Sequence, residues 1–87
     1  MLPEQIAKFV ETEQQSFPKI KVEFKKRNSI TGLFVQLKDY DELKSKNFWR
    51  LVPESHLETW HKSKDINSAK MFNGSEFTKL SVINKKG

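Results

Sequence analysis

A few groups of residues have the types and spacing that chemistry uses. Tyr40 and Lys44 stand four apart in Tyr40-Asp41-Glu42-Leu43-Lys44, the Y-x-x-x-K arrangement in which a lysine lowers the pKa of a tyrosine during hydride transfer. His56 and His61 are five apart with Glu54 and Glu58 beside them, residue types that bind zinc or pass protons. Lys25-Lys26-Arg27, with Lys62, Lys64 and Lys70 later, could form a basic rim. Tyr40, Trp49, Trp60 and Phe72 could offer flat faces on which single-stranded bases stack.

Each group also has a plainer reading. Hydride transfer needs a nicotinamide cofactor on a glycine-rich turn between strand and helix, in a chain of Rossmann size. The nearest glycine turn is Thr31-Gly32-Leu33-Phe34, which reads as strand. The Tyr40–Lys44 match is therefore a coincidence of a lysine-rich chain, and neither an enzyme nor a cofactor is expected; a small oxidoreductase is the remote alternative. On a helix the two histidines fall well off a common face, and on a strand they fall on opposite faces. Zinc wants at least three convergent ligands, so both read as surface residues and no metal site is expected. The basic residues read equally as a solvated surface. A short chain needs its aromatics inside, so Trp49 and Phe72 are expected in the core. Tyr40 and Trp60 lie in polar surroundings and are expected as the exposed pair.

Those side chains must be positioned by one small domain, residues 1–87. A chain of 87 residues buries only about 60–65% of its unfolded surface, and seven Phe and two Trp make that core bulky. The absence of cysteine excludes a disulfide framework and a cysteine-based zinc site, and fits a reducing, cytoplasmic setting. No stretch approaches the ~20 apolar residues that cross a bilayer, so no membrane partner is expected. The net charge of +5 is uneven. Residues 1–18 hold one Lys against three Glu, and residues 19–87 hold fifteen Lys or Arg against eight Asp or Glu. Such a body attracts nucleic acid or an acidic protein.

The patterning changes period along the chain. Pro3 sets a first helical position, and Leu2, Ile6, Phe9 and Val10 recur at helical spacing to about Gln15, before Phe17-Pro18 stops the helix. This predicts a helical segment over 1–17. Ile20, Val22 and Phe24 then alternate with Lys21, Glu23 and Lys25, predicting a strand that turns at 26–29 into a second strand over Ile30–Leu37. Gly32 inside it marks a bend or a close backbone approach. Asp39 with Glu42 has capping-box spacing for about two helical turns. Phe48–Val52 reads as a third strand ending at Pro53. Residues 54–64 suit either a strand or a helix. Asp65 caps a short turn through Ile66, Ala69, Met71 and Phe72, with Asn73-Gly74 as its left-handed stop, and Glu76–Ile83 reads as the last strand. Residues 84–87 are a free tail. The fold class is α+β: an N-terminal helix followed by a strongly bent antiparallel sheet of four or five strands over 19–83, or a small barrel closed from it.

Two resemblances attach to these segments. Phe48-Trp49-Arg50-Leu51-Val52, Lys64-Asp65-Ile66-Asn67 and the stretch Phe72–Leu80 resemble a family of short Bacteroidetes proteins of unassigned function, some labelled short-chain dehydrogenases. The second resemblance is architectural. The leading helix, Val22-x-Phe24-Lys25, Ile30-Thr31-Gly32 and Leu37 are similar to the first motif of Sm-like barrels, and Phe72-Asn73-Gly74-Ser75-Glu76-Phe77-Thr78-Lys79-Leu80 to the second. That resemblance implies RNA binding in rings, with Tyr40 near the base-stacking position and Asn73 and Gly74 at the nucleotide loop. Lys38 stands where the family's loop Asp is expected, and Asn73 replaces its usual Arg.

The expected function is a non-catalytic binding module on a small Sm- or SH3-like barrel. Its expected ligand is RNA or another polyanion, taken by Lys25, Lys26, Arg27, Tyr40, Trp60, Lys62, Lys64, Asn73 and Gly74. The alternative is a protein-interaction subunit, assembled as a homo-oligomer and indifferent to nucleic acid.

Overall fold

Helix α1, Pro3–Glu11, starts where the chain offers it a fixed φ and a partner for its first amide. Pro3 opens it, and the Gln5 side-chain oxygen accepts the Leu2 N–H at 2.9 Å. Glu4 in the first turn and Lys8 in the last complement the helix dipole. The computed structural model describes residues 1–12 and 19–83. The expected run of α1 to Gln15, its Phe17-Pro18 stop and the tail at 84–87 lie outside the described residues. Ile6, Ala7 and Val10 carry the buried face of α1. Leu2, expected on that face, precedes the first turn and is 61% exposed.

Among the described residues five antiparallel strands form one sheet in the order β4-β3-β2-β1-β5. They are β1 Ile20–Phe24, β2 Ile30–Phe34, β3 Phe48–Pro53, β4 Lys70–Asn73 and β5 Phe77–Val82. The α+β class and the antiparallel sheet read from the alternation are what the structure has. β1 is an interior strand, pairing Ile20 with Gly32 of β2 on one side and with Val82 of β5 on the other. Gly32 is a close backbone approach: a Cβ there would lie 2.2 Å from the Val52 carbonyl oxygen.

The sheet is strongly curled. β4 and β1 are separated by two strands, so in a flat sheet they would stand about 14 Å apart. Yet the rings of Phe24 on β1 and Phe72 on β4 are 5.4 Å apart. The curl does not close, since among the described residues no ladder joins β4 to β5. The closed barrel is therefore not formed.

Two clusters of apolar residues lie on opposite faces. The larger holds Ile6, Ala7, Val10, Ile20, Val22, Phe34, Trp49, Leu51, Phe77 and Leu80, under α1. The smaller holds Val52, Leu57 and Trp60, with Leu33, Val35, Leu37 and Ala69 packed against it. The alternation Phe34 against Leu33 and Val35, and Leu51 against Val52, sorts β2 and β3 onto both sides.

Several boundaries differ from expectation, for local physical reasons. β2 ends at Phe34, although Val35 N–H still reaches the Arg50 carbonyl at 3.1 Å. Helix α2, Tyr40–Ser45, has the expected two turns, but Asp39 makes no side-chain cap; its carboxylate accepts from the Arg50 guanidinium instead. Residues 54–63 are helical: a 3-10 turn at Glu54–His56 runs into α3, Leu57–Ser63, because burying Leu57 and Trp60 three apart needs a helix. Met71 and Phe72 belong to no turn but to β4, added to the edge of β3. Gly74 has no positive φ; among the described residues the left-handed ones are Asn47 and Lys64. β5 does not alternate strictly, because a register shift opposite Glu23 and Phe24 lets both Phe77 and Leu80 face inward.

Candidate nucleic-acid interface

The β1–β2 connection carries Lys25, Lys26 and Arg27, all exposed, over the open side of the curled sheet. Its position is fixed by the backbone, since Lys25 N–H donates to the Glu76 carbonyl at 2.9 Å. That bond joins the hairpin tip to the 3-10 turn Gly74–Glu76 between β4 and β5. A cleft of about 320 Å³ lies between them, lined by Phe24, Lys26, Arg27, Met71, Phe72, Asn73 and Glu76. The volume is at the lower end of the range found for small-ligand pockets.

The walls of this cleft are aromatic and cationic. The Arg27 guanidinium lies 5.3 Å from the Phe24 ring centroid and 5.4 Å from that of Phe72, within cation–π distance of both. Both rings are half-buried, and Met71 is 47% exposed. Among the described residues no carboxylate forms an ion pair with Lys25, Lys26 or Arg27. Asn73, an exposed residue of the lining, accepts from Ser75 N–H through its side-chain oxygen at 2.9 Å, which leaves its amide nitrogen as a donor.

The sequence-predicted site residues are thus divided. Lys26, Arg27 and Asn73 meet at this cleft, and Lys25 adjoins it. Gly74 lies next to it but is buried. A Cβ there would stand 2.2 Å from the Asn47 side-chain oxygen and 2.5 Å from Ile6 Cδ1, so Gly74 serves packing. Trp60, expected to be exposed, is 7% exposed. It fills the smaller core because α3 covers the Val52 face, and it is not a stacking surface. Lys64 lies 5.3 Å from its ring, and Lys62 pairs with Glu58 at 3.5 Å on the same helix. All three therefore belong to the face opposite the cleft's aromatics.

Tyr40 forms a separate arrangement. Its ring packs edge-on against Trp49 at 6.0 Å, and its hydroxyl donates to the Glu11 carboxylate at 2.6 Å. Lys44 lies 5.1 Å from the ring and 3.3 Å from the same carboxylate. Desolvation, then the bond to Glu11, push the Tyr40 hydroxyl well above its ordinary pKa. The bond from Tyr40 and that from Lys44 hold Glu11 below the usual carboxylate range. Through Glu11, Tyr40 and Lys44 link α2 to α1. His56 and His61 are both exposed, and no group of three metal-binding side chains occurs among the described residues. No described helix is long and apolar enough to cross a membrane.

Phe24, Met71 and Glu76 were not singled out by sequence. Phe24 sits in register with buried Ile20 and Val22, which predicts core; as the last residue of β1 it packs against that core but stays only half-buried. Its place directly before Lys25-Lys26-Arg27 was the available signal. Comparison with protein-family models, with curated proteins and with solved structures finds no match for this chain.

Proposed function

We propose that this protein is a non-catalytic module that binds single-stranded RNA through the cleft at the tip of its β1–β2 hairpin. The supporting observation is the meeting of Lys26 and Arg27, which no carboxylate pairs among the described residues, with the half-buried rings of Phe24 and Phe72. A single strand asks for two things: cations along its backbone and flat apolar faces for its bases. Displacing Arg27 from the two rings would free a phosphate-binding guanidinium and an aromatic face together. The test is fluorescence anisotropy of a labelled uridine-rich oligoribonucleotide at several salt concentrations. For three phosphates neutralised by Lys25, Lys26 and Arg27, log K should fall against log salt with a slope of about −2. Changing Lys26 or Arg27 to Ala should lower that slope by about 0.7 each. Absence of binding at low salt with ~100 µM protein would discard the proposal, since that is the weak end of ordinary non-specific binding.

A second reading rests on the open sheet. Among the described residues β4 pairs only with β3, and β5 only with β1, so each leaves an edge that another chain could extend. In that reading the protein is an assembly subunit. Light scattering would then give a defined oligomer whose formation ignores added RNA.

A further inference from the structure

Glu76 is out of place in a cleft meant only for phosphates. It lines the same space as Lys26 and Arg27, and its own carbonyl is bonded to the hairpin tip at Lys25 N–H. It forms no ion pair with either cation. A carboxylate at that place repels a polyanion and so weakens binding, unless the ligand brings hydrogen-bond donors to it. Asn73 stands three residues away across one 3-10 turn and presents an amide donor, its oxygen being taken by Ser75 N–H.

We infer that the cleft prefers guanine among the bases of a single strand, with Glu76 and Asn73 reading its Watson–Crick edge; this rests on the RNA-binding reading above. The chemistry is complementary. Guanine offers two adjacent N–H donors, N1–H and the N2 amino group, beside one acceptor, O6. A carboxylate accepts from the two donors in bidentate fashion, and the Asn73 amide donates to the acceptor. Uracil offers one donor between two carbonyl oxygens that a carboxylate repels. Adenine and cytosine each offer an amino group beside an unprotonated ring nitrogen, which also faces the carboxylate unfavourably. The half-buried Phe24 and Phe72 rings supply the stacking face, and the unstacked bases of a single strand leave their Watson–Crick edges free.

The experiment measures anisotropy for a panel of short uridine oligoribonucleotides in which one central residue is guanosine, adenosine, cytidine or uridine. The guanosine oligomer should bind about five- to tenfold more tightly than all-uridine, the lower part of the range for a bidentate base contact. Glu76→Gln should abolish that preference and strengthen all-uridine binding, because the side chain is exposed and only its charge is removed. Asn73→Asp keeps an acceptor for Ser75 N–H and should also remove the preference. Equal binding of all four oligomers, or preference for another base, would overturn the guanine assignment while leaving RNA binding in place. Failure of every oligomer to bind would overturn both.

Discussion

The Gly74 N–H donates to the Asn47 carbonyl at 2.7 Å, and this contact ties the turn before β5 to the left-handed residue that ends α2. Around it, the Asn47 side-chain oxygen accepts from Trp49 Nε1 at 2.8 Å, and Met1 N donates to the Gly74 carbonyl at 3.1 Å. The side chains of Asn47, Ile6 and Trp49 crowd position 74 so closely that a Cβ there fits only if they shift. This buckle sets the height of the 3-10 turn that carries Glu76 to the cleft.

Gly74→Ala should therefore destabilise the protein by about 1–3 kcal/mol, the usual penalty for overpacking. Urea denaturation followed by circular dichroism reads it as a lower midpoint at unchanged slope. Asn47→Gly removes the nearest clashing atom and suits the φ of 64°. The double substitution should accordingly cost less than the sum of the two single ones.

Tyr40 is the only tyrosine in the chain, so absorbance near 295 nm titrates it alone. Its folded pKa should lie above the ~10 of a free tyrosine and fall when Glu11 is changed to Gln. The linkage has a definite sign. Because the folded pKa is raised, the stabilisation is complete below pH ~10 and is lost as pH rises beyond it. Glu11 works in the other direction: its lowered pKa gives stabilisation above pH ~4.3 that is lost as pH falls through the folded value. Tyr40→Phe should flatten both limbs of the pH–stability curve.

Trp49 and Trp60 are 2% and 7% exposed, so native fluorescence should be blue-shifted and poorly quenched by acrylamide. Trp60→Phe should lower stability by about 1–3 kcal/mol through the space it leaves. It should leave oligoribonucleotide affinity unchanged, because the ring faces the smaller core. A large loss of affinity in a folded Trp60→Phe protein would move the interface to the other face of the sheet.

The Arg50 side chain is 17% exposed, and Asp39 is its partner. Asp39→Ala leaves the guanidinium half-enclosed and unpaired, at an expected cost of about 1–3 kcal/mol by thermal or chemical unfolding. Lys46→Ala, which breaks an exposed i,i+4 pair with Glu42 at 3.6 Å, should change stability by less than ~0.5 kcal/mol.

Local pattern alone determined much of this protein: the amphipathic start at Ile6 and Val10, the alternation of Ile20 and Val22, the hairpin tip at 26–29, and the glycine pinned at 32. Those signals are legible because neighbours in sequence generate them: helical and strand periods, and a backbone that must turn. Only the tertiary structure decided what the curl of the sheet brings together. Phe24 meets Phe72 across two intervening strands, Trp60 is buried by a helix crossing the far face, and Glu76 lands beside Arg27. Each depends on long-range packing that short-range periodicity does not encode, so two residues of the same type, Trp49 in the larger core and Trp60 in the smaller, had to be told apart by position in space.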